Sequence, residues 1–581
     1  MERWRPTLMK RSNVNKMVAA LAVTGMLLTA CGGDDDVADE PAAEEPADEP
    51  AEEPADDAES DLVQTDDRDD PGGDADEQFA DEPAAAEEPA DEAADGGISA
   101  PAESTATDSA GDAEGGLYGS EPPRDDDRLE DNTFEDYGYR DFVATADDPL
   151  STFALDVDTG SYTVMRRWLD EGQLPPRESV RPEEYINAFD YDYDTPRNGL
   201  EITVDGGPSP FDRDNYLVRI GVQGEQVDDD ERGRAALTFV VDTSGSMDRD
   251  DRLGLVKEAL SILVDELDDD DTVAIVTYSD SSGIVLEPTR VRDRDEILDA
   301  IDDLEPGGST NLEAGLRTGY ELADDAFVRN GINRVVLASD GVANVGVTDP
   351  DQLARMIRDD ADRGINLVTV GFGMGNFNDV TMEQLADQGD GFYAYVDTED
   401  EAERLFEDEL TSTLLTIAKD AKIQVEFDPD IVEAYRLIGF ENRGVLDSDF
   451  RDDDVDAGEL GAGHQVTAIY EIELERGVDL DDRDEVGEVF LRWEDPDSGD
   501  VIEIDEDIDL RDIDEEWTDT ADDFQLATVV AVFAELMREN PYADDVDIDD
   551  LVDEVERLAD DLDDRKVDEL ADLIELAADL R

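Results

Sequence analysis

Apolar and polar positions change their rhythm several times along the chain. Continuous apolar runs at 236–242 (ALTFVVD), 272–278 (TVAIVTY), 334–339 (RVVLAS), 366–371 (NLVTVG) and 391–396 (GFYAYV) predict buried strands. Between and after them, 253–267, 294–304, 312–323, 351–361, 382–386 and 399–416 repeat apolar residues at helical spacing, with Asp349-Pro350 opening one helix as cap and first-turn proline. Strands that alternate with helices in this way predict an α/β fold, a doubly wound and mostly parallel sheet covered on both faces, over 235–416. From 420 to 581 the rhythm is different. Period-two alternation at 422–427, 465–474, 488–493 and 501–508 predicts half-exposed antiparallel strands as far as about residue 510, with a hairpin at Asp497-Ser498-Gly499. A helix at 524–539 stops at Asn540-Pro541, and Ile548, Leu551, Val552, Val555, Leu558 and Ala559 share one face of the next.

The first 140 residues carry neither rhythm. Arg3, Arg5, Lys10, Arg11 and Lys16 precede an apolar run at 17–30, too short to span a bilayer but suited to a secretory signal. It ends Leu28-Thr29-Ala30-Cys31, which resembles the lipobox of bacterial lipoproteins, so residues 1–31 read as a lipoprotein signal peptide with Cys31 as the lipidated residue. Residues 32–140 repeat Glu, Pro, Ala and Asp, and such a stretch buries too little apolar surface to offset its ordering entropy. The expectation is a disordered acidic linker of about 109 residues, spanning on the order of 55–60 Å root-mean-square or more, that tethers a folded head to a membrane lipid.

Charge narrows the partners. The 581 residues hold 45 Lys and Arg against 163 Asp and Glu, a net charge of −118. Such a field repels phosphate backbones and excludes nucleic acid as a partner. Only six of the basic residues are Lys, and acids occupy every predicted helix and loop, which reads as a halophilic protein whose self-repulsion is screened by salt. One Cys rules out an internal disulfide, and one His, His464, rules out a multi-His metal site, so a bound metal must take oxygen ligands.

In open α/β sheets ligands lie beyond the carboxyl ends of the strands. There the chain places Asp242-Thr243-Ser244-Gly245-Ser246 and Asp340-Gly341, with Gly307-Gly308-Ser309-Thr310-Asn311 opening a helix between them. Two carboxylates and three hydroxyls are hard donors that suit Mg²⁺ or Mn²⁺, with Ca²⁺ as a further option. In order and in context these motifs resemble the von Willebrand factor type A domain, a Rossmann-like fold, over 235–416. The resemblance implies a metal-ion-dependent adhesion site in which Ser244, Ser246 and Thr310 bind the ion through hydroxyls, and Asp242 and Asp340 act directly or through water. It implies an ion that is incompletely neutralised and keeps one position open for an Asp or Glu carboxylate of a protein partner. It also implies that ligand binding shifts the helix at 399–416, a movement felt by the β-rich region beyond.

Upstream, Phe153 to Tyr162, Gln173-Leu174-Pro175-Pro176, residues 181–187 and Phe189 to Tyr193 resemble the N-terminal region of YfbK-type bacterial lipoproteins, giving a conserved segment at 141–232. Residues 420–581 resemble the matching C-terminal region, with acidic insertions at 451–459. Asp156-Val157-Asp158-Thr159-Gly160 also resembles a phosphatase nucleophile motif, but Gly160 departs from it and no Lys lies nearby. A turn and helix cap at 158–161 is the simpler reading. Asp452, Asp454 and Asp456 have EF-hand-like spacing without the required Gly, and His464 reads as structural or exposed. The sequence therefore predicts a non-enzymatic, extracytoplasmic protein held to the cell membrane by its lipid. It binds a divalent cation and, through that cation, an acidic side chain. A structural envelope protein with a stabilising metal, or a hydrolase, are the alternatives.

Overall fold

The computed structural model describes residues 132–581 apart from 228–231, 342–349, 375–376, 409, 454, 481–483 and 497. The signal peptide, Cys31 and the linker through residue 131 lie outside the described residues, as does Asp497 of the expected hairpin. Among the described residues, no helix is long and apolar enough to cross a membrane.

The central domain is a sheet in the order Tyr393–Val396, Asn366–Phe372, Ile332–Ser339, Ala235–Asp242, Thr272–Tyr278, Ser282–Arg290. The first five strands run parallel, and the sixth closes the edge antiparallel to Thr272–Tyr278. Alternate residues of the central strand feed opposite cores. Phe239 and Val241 pack with Leu260, Val264 and Phe406 on one face, and Val240 packs with Leu316, Tyr320 and Val335 on the other. Helix Leu312–Ala326 lies close on the sheet because Gly315 and Gly319 share its inner face. A Cβ at Gly319 would stand 2.3 Å from a Val240 methyl.

Strand Ser282–Arg290 is absent from the sequence expectation, and its accessibility says why. Only Leu286 within it is buried; its apolar run, Ile284-Val285-Leu286, is three residues long, is followed by Glu287-Pro288, and leaves Ile284 and Val285 exposed at the sheet edge. The helix expected at 399–416 is broken into Glu399–Glu403, a wide π-turn at Arg404–Asp408, and Leu410–Leu414. Thr416 already belongs to the next strand, Thr416–Phe427. Arg334 marks the boundary by donating to Leu414 O (2.9 Å) and Thr416 Oγ1 (2.8 Å).

The two flanks of this domain fold together. One antiparallel sheet runs Val143–Ala144, Val432–Ile438, Gln465–Leu474, Tyr216–Gly224, Leu200–Pro208, so strands from before and after the central domain lie side by side. A second sheet runs Gly458–Gly461, Thr416–Phe427, Glu485–Glu494, Val501–Asp509, with Leu150–Ala154 also paired to Thr416–Phe427. Val218, Ile220 and Val222 of the first meet Ile423, Val425 and Leu491 of the second in one core. Helices Asp522–Met537, Ile548–Leu562 and Arg565–Leu580 cover the first sheet's other face together with Tyr162, Tyr185 and Phe189. Half-exposed strands were expected; Gln465–Leu474 is instead buried along most of its length, because that helical layer covers the face its polar residues occupy. Thr467 and Glu471 on that face are satisfied by Tyr193 and Arg436.

Buried ion pairs join the flanks to the central domain. Arg166 binds Asp397, Glu401 (3.0 Å) and Glu569 (3.1 Å). Arg181 binds Glu184 (2.8 Å), Glu383 (2.9 Å) and Asp379, and Arg443 reaches Asp156, Asp158, Glu383 and Asp387 within 3.2 Å. Carboxylates outnumber guanidiniums here. Glu183 is fully buried with one oxygen unpartnered, and burial, with Glu441 and Asp156 close by, pushes its carboxyl up to about 7.

A carboxyl raised in the folded state keeps a proton that the unfolded chain releases. The stability it contributes below its unfolded value of about 4.3 is lost as pH rises through its folded value. The melting temperature in high salt is therefore expected to fall between about pH 5 and about pH 8, and to fall less steeply in Glu183→Gln. Thermal melts across that range check it, and equal slopes would show that Glu183 holds no such proton.

Candidate metal centre

Parallel strands bring their carboxyl ends to one edge of the sheet, and the predicted residues sit on that edge. Asp242 is the last residue of the central strand, and Asp340 follows Ile332–Ser339 next to it. Asp242 is fully buried: one carboxylate oxygen accepts from Ser244 N (2.7 Å) and the other from the Ser339 hydroxyl (3.1 Å). The Ser244 and Ser246 hydroxyls lie 2.9 Å apart, with Ser244 buried and Ser246 half-exposed at the mouth.

The third segment is stitched to the first by backbone. Gly245 N donates to Gly308 O (3.0 Å) and Gly307 N to Thr243 O (2.7 Å). Gly307 and Gly308 have φ of 156° and 97°, and a Cβ at Gly308 would meet the Ser279 side chain at 3.1 Å. Thr310 is buried just beyond this seam, and Asn311 caps helix Leu312–Ala326 by accepting from Ala314 N. All three predicted segments therefore converge.

One participant escaped the sequence reading. Arg252, buried in the turn before helix Leu255–Glu266, donates to Asp340 (2.9 Å), to Ser246 O (2.7 Å) and to Met374 O (2.6 Å). In the sequence it belongs to Asp248-Arg249-Asp250-Asp251-Arg252, which reads as a solvated charge run. The electrostatics are uneven. Arg252 compensates Asp340, whereas Asp242 is held by an amide and a hydroxyl, and its carboxyl is pushed up to about 7, mainly by burial and then by the charge of Asp340. Two opposed carboxylates and a hydroxyl pair fit a hard divalent cation, whose charge would relieve their repulsion.

Other sequence candidates resolve differently. Asp156 and Asp158 are both committed to Arg443 at 3.1 Å, and Asp158 also accepts from Tyr393 N (2.8 Å). Asp158 therefore does not cap helix Gly160–Asp170, whose N-cap, Thr159, makes no side-chain cap bond. His464 Nδ1 accepts from Gly461 N (3.2 Å) and its ring stands edge-on to Phe392. Asp454 is outside the described residues. Asp456 instead joins Asp420 and Glu459, their oxygens all within 4.8 Å of one another, at the irregular pairing of Thr416–Phe427 with Gly458–Gly461. Residues 420 and 456 are brought together by strand pairing, which no local spacing reveals.

Comparison with known proteins agrees with this architecture. Residues 236–408 match the family described as von Willebrand factor type A domain, 128–219 match one described as von Willebrand factor, and 412–580 match the C-terminal family of uncharacterized protein YfbK. YfbK of Escherichia coli strain K12 is 40% identical over 338 residues, covering 57% of this chain and 59% of YfbK, so the match spans less than two thirds of that relative. Human inter-alpha-trypsin inhibitor heavy chain H3 is 26% identical over 191 residues, 31% of this chain and 21% of its own. Among solved structures, a von Willebrand factor type A protein from Catenulispora acidiphila aligns with 64% of this chain and 89% of its own at 16% identity and a TM-score of 0.39. Residues 236–408 are thus a von Willebrand factor type A domain, carried in a chain that is similar to YfbK.

Proposed function

We propose that this chain is a lipid-anchored extracytoplasmic binding protein whose type A domain holds a divalent cation and uses it to bind an acidic side chain of a protein partner. The observation that carries the reading is the Ser244–Ser246 hydroxyl pair, 2.9 Å apart, beside the buried carboxylates of Asp242 and Asp340 at the ends of adjacent strands. Ser244, Ser246 and Thr310 would ligate Mg²⁺ or Mn²⁺. Asp242, through Ser244 N and Ser339, orients that shell and supplies its uncompensated charge. Arg252 already compensates Asp340, so the donor set carries less negative charge than two bare carboxylates. The bound ion would supply a Lewis-acidic position that rewards one more carboxylate with a charge-assisted bond. Binding rather than catalysis is supported by the commitment of Asp156 and Asp158 to Arg443.

Calorimetric titration of the full chain in high salt with Mg²⁺ or Mn²⁺ tests the site against Ser244→Ala/Ser246→Ala. The expected result is one saturable site present only in the parent, with stabilisation of about 2.7 kcal/mol at a cation concentration a hundred times Kd. Identical isotherms would reduce the motif to a structural turn. A glutamate-rich peptide on beads should then retain the parent with Mg²⁺ and release it with chelator. Retention of neither form, beside an intact cation site, would favour the stabilising-metal alternative. Labelled fatty acid should enter the parent and not Cys31→Ser in cells, and labelling of both would remove the anchor.

A further inference from the structure

The buried guanidinium at the candidate metal centre is held from several sides. Arg252 lies in the π-turn Asp250–Gly254 that opens helix Leu255–Glu266, and its neighbours Leu253 and Leu255 are buried in the domain core, so the base of the side chain is fixed. Its Nη1 donates to Asp340 Oδ2 (2.9 Å) and to Ser246 O (2.7 Å), and its Nη2 to Met374 O (2.6 Å). One side chain thus ties the serine segment, the second carboxylate and the loop after strand Asn366–Phe372 together. Gly373, with φ 72°, leaves room for it: a Cβ there would stand 2.4 Å from Arg252 Cγ and 2.8 Å from its Nε. Arg249, three residues earlier, is exposed and binds Asp251 (2.9 Å) instead.

A guanidinium keeps its charge at any working pH, so Arg252 opposes a divalent ion permanently, and the Asp340 oxygen that it engages is already partly neutralised. With both carboxylates ionised, Asp242 and Asp340 supply two negative charges and Arg252 returns one positive. A divalent cation would then keep one charge in excess. Without Arg252 the protein alone would neutralise it. Arg252 therefore acts in opposite directions on two equilibria: it weakens binding of the cation and strengthens binding of an external carboxylate to the loaded site. The same balance makes cation and carboxylate cooperative, and by linkage each raises the affinity of the other by the same factor.

We propose that Arg252 is the positioning residue that sets this exchange. It holds Asp340 back from the cation, so that the charge of the site is completed by a partner's carboxylate and not by the chain's own. The proposal rests on the metal-site reading above and names the residue that decides how strongly that site demands its ligand.

The test uses the full chain in high salt, with Mn²⁺ as probe cation and the glutamate-rich peptide as probe carboxylate. Arg252→Met and Arg252→Gln remove the buried charge, and Arg249→Met removes the same charge from the exposed position. Both Arg252 variants leave Asp340 buried without its guanidinium, so their metal-free melting temperature is expected to fall. Mn²⁺ is expected to bind them about tenfold more tightly than the parent and to raise their melting temperature further, while the Mn²⁺-loaded variants bind the peptide about tenfold more weakly. Arg249→Met should match the parent throughout, because salt screens its charge. An arginine with only a structural role gives the opposite sign, since its loss disorders the site and weakens Mn²⁺ binding. Weaker or unchanged Mn²⁺ binding in both Arg252 variants, an unchanged peptide affinity, an Arg249→Met that behaves like Arg252→Met, or Arg252 variants that stay unfolded in saturating Mn²⁺ would each overturn the role of Arg252. All four leave standing a cation site that the parent shows and Ser244→Ala/Ser246→Ala lacks. A parent indistinguishable from that serine variant would overturn the site and the role of Arg252 together.

Discussion

With 163 acidic side chains against 45 basic ones, the fold depends on guanidiniums that each stand between several buried carboxylates. Arg181 and Arg443 gather acids from the segments around 156–184 and 379–387 into one buried seam. Arg436, fully buried, holds Glu471 of a central strand against Glu535 of the helix that covers it. The guanidinium offers five donors in a planar fork, so one cation can satisfy several acids at fixed angles, which an ammonium cannot. Such networks add little net stability compared with apolar packing. Removing the cation, however, strands several buried carboxylates, so the network fixes which surfaces dock.

The candidate metal centre is the same problem with one guanidinium too few. Arg252 answers for Asp340, whereas Asp242 receives the Ser244 amide and the Ser339 hydroxyl, and burial and the charge of Asp340 push its carboxyl up to about 7. Elsewhere in the protein an imbalance of this kind is closed inside the seam, as at Glu183, where a raised carboxyl keeps its proton. At Asp242 the imbalance lies under two hydroxyls and a half-exposed mouth, where a cation from solution can enter. The difference between a protonated seam and a candidate cation site is access, set by the half-exposed Ser246.

What the sequence made legible follows from locality. The five parallel strands, and the metal-site residues at their ends, lie in short segments whose hydrophobic period and turn chemistry are set within a dozen residues. Strand 272–278 is found where expected. Some elements were not legible. Leu200–Pro208 and Tyr216–Gly224 pair with each other, but the first ends in Gly206-Gly207-Pro208 and the sheet that buries both is completed by strands more than two hundred residues later, and helix Arg565–Leu580 is amphipathic but dense in acids. Arg252 and the trio Asp420, Asp456 and Glu459 were hidden for a further reason. In so acidic a chain one more charged residue carries no signal until folding sets its neighbours.

The insertion of the type A domain between two halves of one β-sandwich limits how a ligand event can spread. Its last helical turns, Leu410–Leu414, pass directly into Thr416–Phe427, a strand paired with Gly458–Gly461, Glu485–Glu494 and Leu150–Ala154. Any axial shift of the terminal helix would have to slide that strand against several ladders, and a slip of one residue would turn its core side chains outward. Glu399–Glu403 is pinned at its other end by Arg166 on Glu401, with Asp397 and Glu569 in the same grip. Between these anchors lies the π-turn Arg404–Asp408, where one turn holds an extra residue; its Leu405 and Phe406 are buried in the domain core, and Thr413 Oγ1 donates to Leu405 O (3.1 Å). The geometry therefore opposes translation of the helix at both ends, at Arg166 and at Arg334.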